Sequence, residues 1–224
     1  MLSRLPPATR YLLIANIVLS LIGMVVPLAW FLPFGLWPWL PEGAPAMSIS
    51  FMPWQLATHA FLHADPVHLM LNMLGLVMFG AVLEHEWGTR RFLIFYTVCV
   101  LGAALCQLGV ATWLAFERHQ IQYAVGASGG IFGLLVAFGM LFPNQRLGLF
   151  FLPITFKARH FVIVLIALQV ALAFFGGSTG ESHAAHLGGA FFGWALIRYW
   201  RRDRTQPPRG PKPPRRASHL RVVR

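Results

Sequence analysis

Apolar residues run along this chain in long stretches that polar residues interrupt rather than alternate with. Six such stretches, at about 11 to 32, 66 to 83, 91 to 114, 126 to 142, 160 to 176 and 183 to 200, each approach the roughly 20 apolar residues that one helical crossing of a bilayer requires. The pattern predicts an all-α, polytopic membrane protein: a bundle of six transmembrane helices. Between the first two stretches lies a Pro- and Trp-rich segment from Pro33 to Asp65, whose Trp37, Trp39 and Trp54 suit a membrane interface. Asp65-Pro66 reads as an N-cap followed by proline at the first helical position, so the second helix is expected to start there. No internal repeat is evident.

Composition supports the same class. Hydrophobic residues make up 57% of the chain and charged residues 11%, with a mean hydropathy of +0.62, more apolar surface than a soluble core can hide. The formal charge of +11 would suggest a nucleic-acid partner in a soluble protein, but its placement argues otherwise. Threading six helices with the amino terminus inside leaves every Lys and Arg except Arg118 on the cytoplasmic side, the bias that orients membrane proteins. Both termini are thus expected in the cytoplasm, with residues 1–10 as a short lead and 11–200 as the membrane domain. Residues 201–224 form a basic tail carrying Pro207, Pro208, Pro211, Pro213 and Pro214; it should stay extended and is suited to contact anionic lipid headgroups. The first apolar run exceeds the roughly 7 to 15 residues of a signal-peptide core, so it reads as a span despite Arg4 and Arg10 before it and Ala44-Pro45-Ala46 after it. Cys99 and Cys106, seven apart on one face of the third stretch, read as packing residues rather than a disulfide or a nucleophile.

Polar side chains inside spans are costly, which makes His68, Asn72, Ser128, His183 and His186 candidates for function. In this topology they all fall near the outer ends of the second, fourth and sixth helices, at similar depth. His68 and Asn72 share a face through their i, i+4 spacing. Ser128 is followed by Gly129 and Gly133, and His186 by Gly189 and Gly193, spacings that let membrane helices approach closely. Packing of the fourth helix on the sixth through these glycines would bring a hydroxyl and an imidazole within hydrogen-bond reach, the requirement for an activated nucleophile.

Together, Gly126-Ala127-Ser128-Gly129, Ala185-His186 with Gly189 and Gly193, and His68 followed by Asn72 resemble the rhomboid intramembrane serine proteases. The run Gly80, Glu84, Gly88, Arg91, Phe92 is similar to the family's connection after its second core span, and the resemblance covers about residues 50 to 200. It implies a Ser128–His186 dyad acting through an acyl-enzyme. The oxyanion would be stabilised by the Ser128 backbone N–H, His68 and Asn72. It also implies transmembrane protein substrates cut near the outer face of the bilayer, no cofactor beyond water, and residence in a bacterial inner membrane. Where several family members carry a tyrosine that stacks on the histidine, this chain has Phe132, which keeps the stacking and loses the hydroxyl. The first external loop lacks the Trp-Arg pair some members present there.

Other readings of the same residues are weaker. His183 is the rival base, but it lies outside the glycine spacing. His59 and His63, with His68, suggest a metal set, yet no HExxH carboxylate accompanies them; ordering of the loop is the simpler role. Asn72 could serve as interhelical glue. Glu84 and Glu86, at the inner end of the second stretch, are expected to pair with Arg90 or Arg91. A non-catalytic helix-binding relative would lack the serine or the histidine, and a transporter would want polar groups at several depths.

Overall fold

The structure is a computed structural model that describes residues 4–40, 42, 49–149, 152–175 and 183–205. Its long helices are α1 (Pro7–Val25), α2 (Pro66–Trp87), α3 (Thr89–Arg118), α4 (Ser128–Leu141), α5 (Ala158–Phe175) and α6 (His183–Thr205). Among the described residues α1, α2, α3 and α5 are long and apolar enough to cross a bilayer. The 14-residue α4 rises only about 21 Å, short of a roughly 30 Å hydrocarbon core. It is instead wrapped by protein: Gly129, Gly130 and every residue from Gly133 to Gly139 are buried. The outer helices expose apolar flanks, such as Ile14, Val18 and Leu21 on α1 and Ile163, Val164 and Leu168 on α5, as a lipid-facing surface requires. The molecule is an integral membrane helix bundle.

Local chemistry sets the boundaries. The first apolar stretch runs on to about residue 32, but α1 stops at Val25 because Pro27 holds Val26 in an extended conformation, with ψ 158°. A separate short helix, Leu28–Phe31, follows. At the other end Pro7 occupies the first turn, so α1 begins four residues earlier than the hydrophobic pattern suggested. The Asp65 carboxylate accepts the His68 N–H at 2.9 Å and starts α2 where its sequence indicated. Midway, α2 widens through a π turn at Leu76–Gly80, then bends at Gly88 into α3. The fully buried Leu76, Leu83, Phe92, Phe95, Cys99 and Leu134 form the core between α2, α3 and α4.

Three further features depart from the sequence reading. A two-stranded antiparallel hairpin, β1 (Arg146–Leu149) with β2 (Leu152–Lys157), connects α4 to α5. Glu84 is met by backbone and hydroxyl groups: its carboxylate accepts the backbone N–H groups of Ala8 and Thr9 at 2.8 and 2.7 Å and the hydroxyls of Thr9 and Thr89, each at 2.8 Å. The start of α1, where four N–H groups lack helical acceptors, supplies the stronger partner for a buried anion. The Arg91 guanidinium lies 4.1 Å over the Trp200 ring. Finally, the expected tail from residue 201 begins as helix, because α6 continues to Thr205 and Arg201 Nη2 donates to the Met140 carbonyl at 2.9 Å. The proline-rich part beyond it, 206–224, lies outside the described residues.

Candidate active site

The segment leading into α4 is held by the loop that follows α1. Leu36 and Ala124 exchange backbone hydrogen bonds of 2.8 and 2.9 Å, the Gly126 N–H donates to the His59 carbonyl at 2.9 Å, and Trp37 stacks on Tyr123 at 4.7 Å. Gly126 turns the chain with φ at 124°, a conformation that disfavours any side chain. A β-carbon there would also stand 2.8 Å from His68 Nε2. The missing side chain lets the His68 imidazole sit beside the turn into Ser128. As the first residue of α4, Ser128 lies at the positive end of the helix dipole, where backbone N–H groups have no helical acceptor.

His186 reaches this point from the first turn of α6. The helices come close because glycines face one another: a β-carbon on Gly189 would collide with the Gly129 carbonyl oxygen, and one on Gly193 would stand 2.9 Å from the Gly133 Cα. Cys99 and Cys106, both free thiols, fill space against Gly133 and Gly188. At this approach Ser128 Oγ and His186 Nε2 are hydrogen bonded at 2.7 Å, half-buried. Phe132, one turn below the serine, lies flat on the His186 ring at 4.4 Å and 14°.

The remaining sequence candidates divide. His68 lies next to the serine turn, as its contact with Gly126 shows. Asn72 is buried, and its Nδ2 donates to the His68 carbonyl one turn earlier at 2.9 Å, so one of its two N–H groups is committed within α2. His183 is buried, and its Nδ1 is bonded at 2.8 Å to Gln169 Oε1 on α5. His59 and His63 tie the loop together: His59 Nδ1 bonds the Gln55 carbonyl and His63 Nδ1 bonds Ser20 Oγ, each at 2.8 Å. Burial pushes both imidazoles down to about 4, with the neighbouring His68 adding to the shift at His63 and Asp65 opposing it.

Sequence reasoning missed Gln169. Its Oε1 bonds not only His183 but also His186 Nδ1, at 2.9 Å, opposite the serine-facing nitrogen. The signal was present: an amide within the apolar run of α5 is as costly as the histidines that were singled out. The buried Asn16, Ser20 and Gln107 were passed over in the same way.

An integral membrane bundle whose short, protein-wrapped helix starts at an imidazole-bonded serine defines a class: membrane proteins with a serine–histidine pair held inside the helix bundle. The family model for the rhomboid domain matches residues 50–203, and the chain belongs to the rhomboid family, a family of intramembrane serine proteases. Among curated relatives, "Presenilin-associated rhomboid-like protein A, mitochondrial" of Danio rerio is 30% identical over 75% of this chain and 46% of its own length. "Presenilin-associated rhomboid-like protein, mitochondrial" of Bos taurus is 32% identical over 69% of this chain and 40% of its own. "Rhomboid-like protein 19" of Arabidopsis thaliana is 26% identical over 70% and 52%. The chain thus spans about half the length of these relatives, or less.

Proposed function

We propose that this protein is an active intramembrane serine endopeptidase, with Ser128 as nucleophile and His186 as general base. The observation that carries the reading is the 2.7 Å hydrogen bond between Ser128 Oγ and His186 Nε2, half-buried between two helices of an apolar bundle. As Ser128 attacks the scissile carbonyl, His186 Nε2 takes the hydroxyl proton and then delivers it to the leaving amine. The acyl-enzyme is released by water activated through the same nitrogen. The tetrahedral oxyanion forms at the start of α4, where the Ser128 backbone N–H, the His68 ring and the second N–H of Asn72 act as donors; losing one such donor typically costs about 3 to 4 kcal/mol in the transition state. The Gly129–Gly189 and Gly133–Gly193 contacts set the distance between the helices that carry the dyad. No cofactor enters the scheme, since water completes the reaction.

The substrates proposed are single-span membrane proteins, cut near the outer boundary of the bilayer. His68, Ser128 and His186 all stand in the first turn of their helices, which supports a site at one shallow depth if α2, α4 and α6 all enter from the outer face. That topology makes six spans with both termini cytoplasmic, with the basic tail on the anionic inner leaflet. A bacterial inner membrane is the proposed compartment; the organellar location in the names of several relatives belongs to those proteins.

The test is cleavage of a fluorescent single-span reporter by purified protein in liposomes. Wild type should cut, and Ser128→Ala and His186→Ala should not. A wild type that binds the reporter without cutting it would favour a helix-binding role, and normal cleavage by both variants would displace the site.

A further inference from the structure

We infer that Gln169 is the positioning residue for His186, a role that rests on the proteolytic reading above. Gln169 projects from the middle of α5, is only 8% exposed, and is flanked along its helix by Leu168 and Val170. Burying an amide in a membrane helix is unfavourable unless its polar atoms are used. Here its oxygen stands 2.9 Å from His186 Nδ1 and 2.8 Å from His183 Nδ1.

A carbonyl oxygen only accepts, so both Nδ1 atoms must donate to it. In a neutral imidazole a proton on Nδ1 leaves Nε2 as a lone pair, and on His186 that lone pair faces Ser128 Oγ at 2.7 Å. With the amide reversed, its N–H groups would call for bare Nδ1 atoms. His186 would then present Nε2–H to the serine and could take no proton. The orientation of one amide thus decides whether His186 is a base, and the same oxygen also meets His183 Nδ1.

Once His186 has taken the serine proton, the bond from Nδ1–H to Gln169 becomes charge-assisted and stronger. The amide oxygen carries no charge and is too weak a base to take the proton itself, so the proton stays on the ring for the leaving amine. Gln169 supplies the orienting function of the third member of a catalytic triad from a helix that carries neither member of the dyad.

The experiment compares wild type, Gln169→Leu and Gln169→Glu in liposomes with the single-span reporter. Gln169→Leu should lower kcat on the order of a hundredfold, within the roughly 10²–10⁴ that a general base contributes, and leave KM near wild type. Gln169→Glu restores an acceptor oxygen of the same reach and should recover at least tenfold of the loss. Wild-type kcat in Gln169→Leu, or an equal loss in Gln169→Glu, overturns the role. Nitrogen NMR of isotope-labelled histidines reads the tautomer without turnover, so it separates this inference from the proteolytic reading should wild type prove inactive. It should show Nδ1–H on His186 in wild type and a mixed population in Gln169→Leu; Nε2–H in wild type would overturn the inference.

Discussion

Phe132 lies flat against His186, with ring centroids 4.4 Å apart and planes within 14° of parallel. The aromatic face restricts the imidazole to the plane in which one nitrogen meets Ser128 and the other Gln169. Aromatic pairs contribute about 0.5 to 1.5 kcal/mol beyond the area they bury. Phe132→Ala is therefore expected to lower kcat about two- to tenfold in the reporter assay, and Phe132→Tyr to stay near wild type. An unchanged kcat in Phe132→Ala would show that the other contacts suffice to orient the ring.

The contact between α4 and α6 has no room for a methyl group. Gly189→Ala would drive a β-carbon into the Gly129 carbonyl, and overpacking of this kind costs about 1 to 3 kcal/mol. Thermal melting in detergent should register the loss, and cleavage should fall further than stability because the helices that carry Ser128 and His186 are forced apart. Gly148→Ala, at a position with nothing within 4 Å, serves as the control and should leave both unchanged.

Glu84 joins the start of α1 to the end of α2 through three hydrogen bonds and accepts a fourth from Thr89 at the start of α3. Bonds to a charged group are worth about 1.5 to 3 kcal/mol each, and Glu84→Ala leaves two backbone donors of α1 without their acceptor. The expected result is a destabilisation of at least about 2 kcal/mol by chemical denaturation. The folded fraction should keep near-normal kcat, since the contact lies at the far end of α2 from His68.

Acid should weaken the loop that braces the serine turn. His59 and His63 are held at about 4 in the fold, below the ordinary histidine value of 6.5. Below pH 6.5 the unfolded chain binds protons that the folded rings refuse, so stability should fall progressively as pH drops from 6.5 towards 4. A melting temperature followed across that range should decline, and His63→Gln should flatten the decline by removing one of the two titrations. A flat profile in the wild type would show that these rings are not held neutral in the folded protein.

Much of this protein was legible in its sequence. Apolar length alone announced a membrane bundle, since the energetics of burying unpaired backbone in hydrocarbon leave little but helices to cross it. The Asp65-Pro66 start of α2 could be read locally, because an N-cap and its proline act within one turn. The serine, the histidine and their glycine spacings stood out because polar groups and paired glycines in apolar runs require a reason.

Tertiary structure decided what depends on partners distant in the chain. Glu84 lies five residues before Thr89 and 76 after Ala8, and only the folded bundle shows that α1's first N–H groups meet its charge. The hairpin between α4 and α5 arises from backbone pairing across a loop, which apolar span counting does not detect. Gln169 is 17 residues from His186 on another helix. Composition marks it only as one amide in an apolar run, and its partners are set by how α5 rotates against α6. Local pattern picked out Ser128, His186, His68 and Asn72 as polar groups in apolar runs; the packing of helices decided which nitrogen faces the serine, because hydrogen bonds between helices depend on their rotation and separation, which no local pattern encodes.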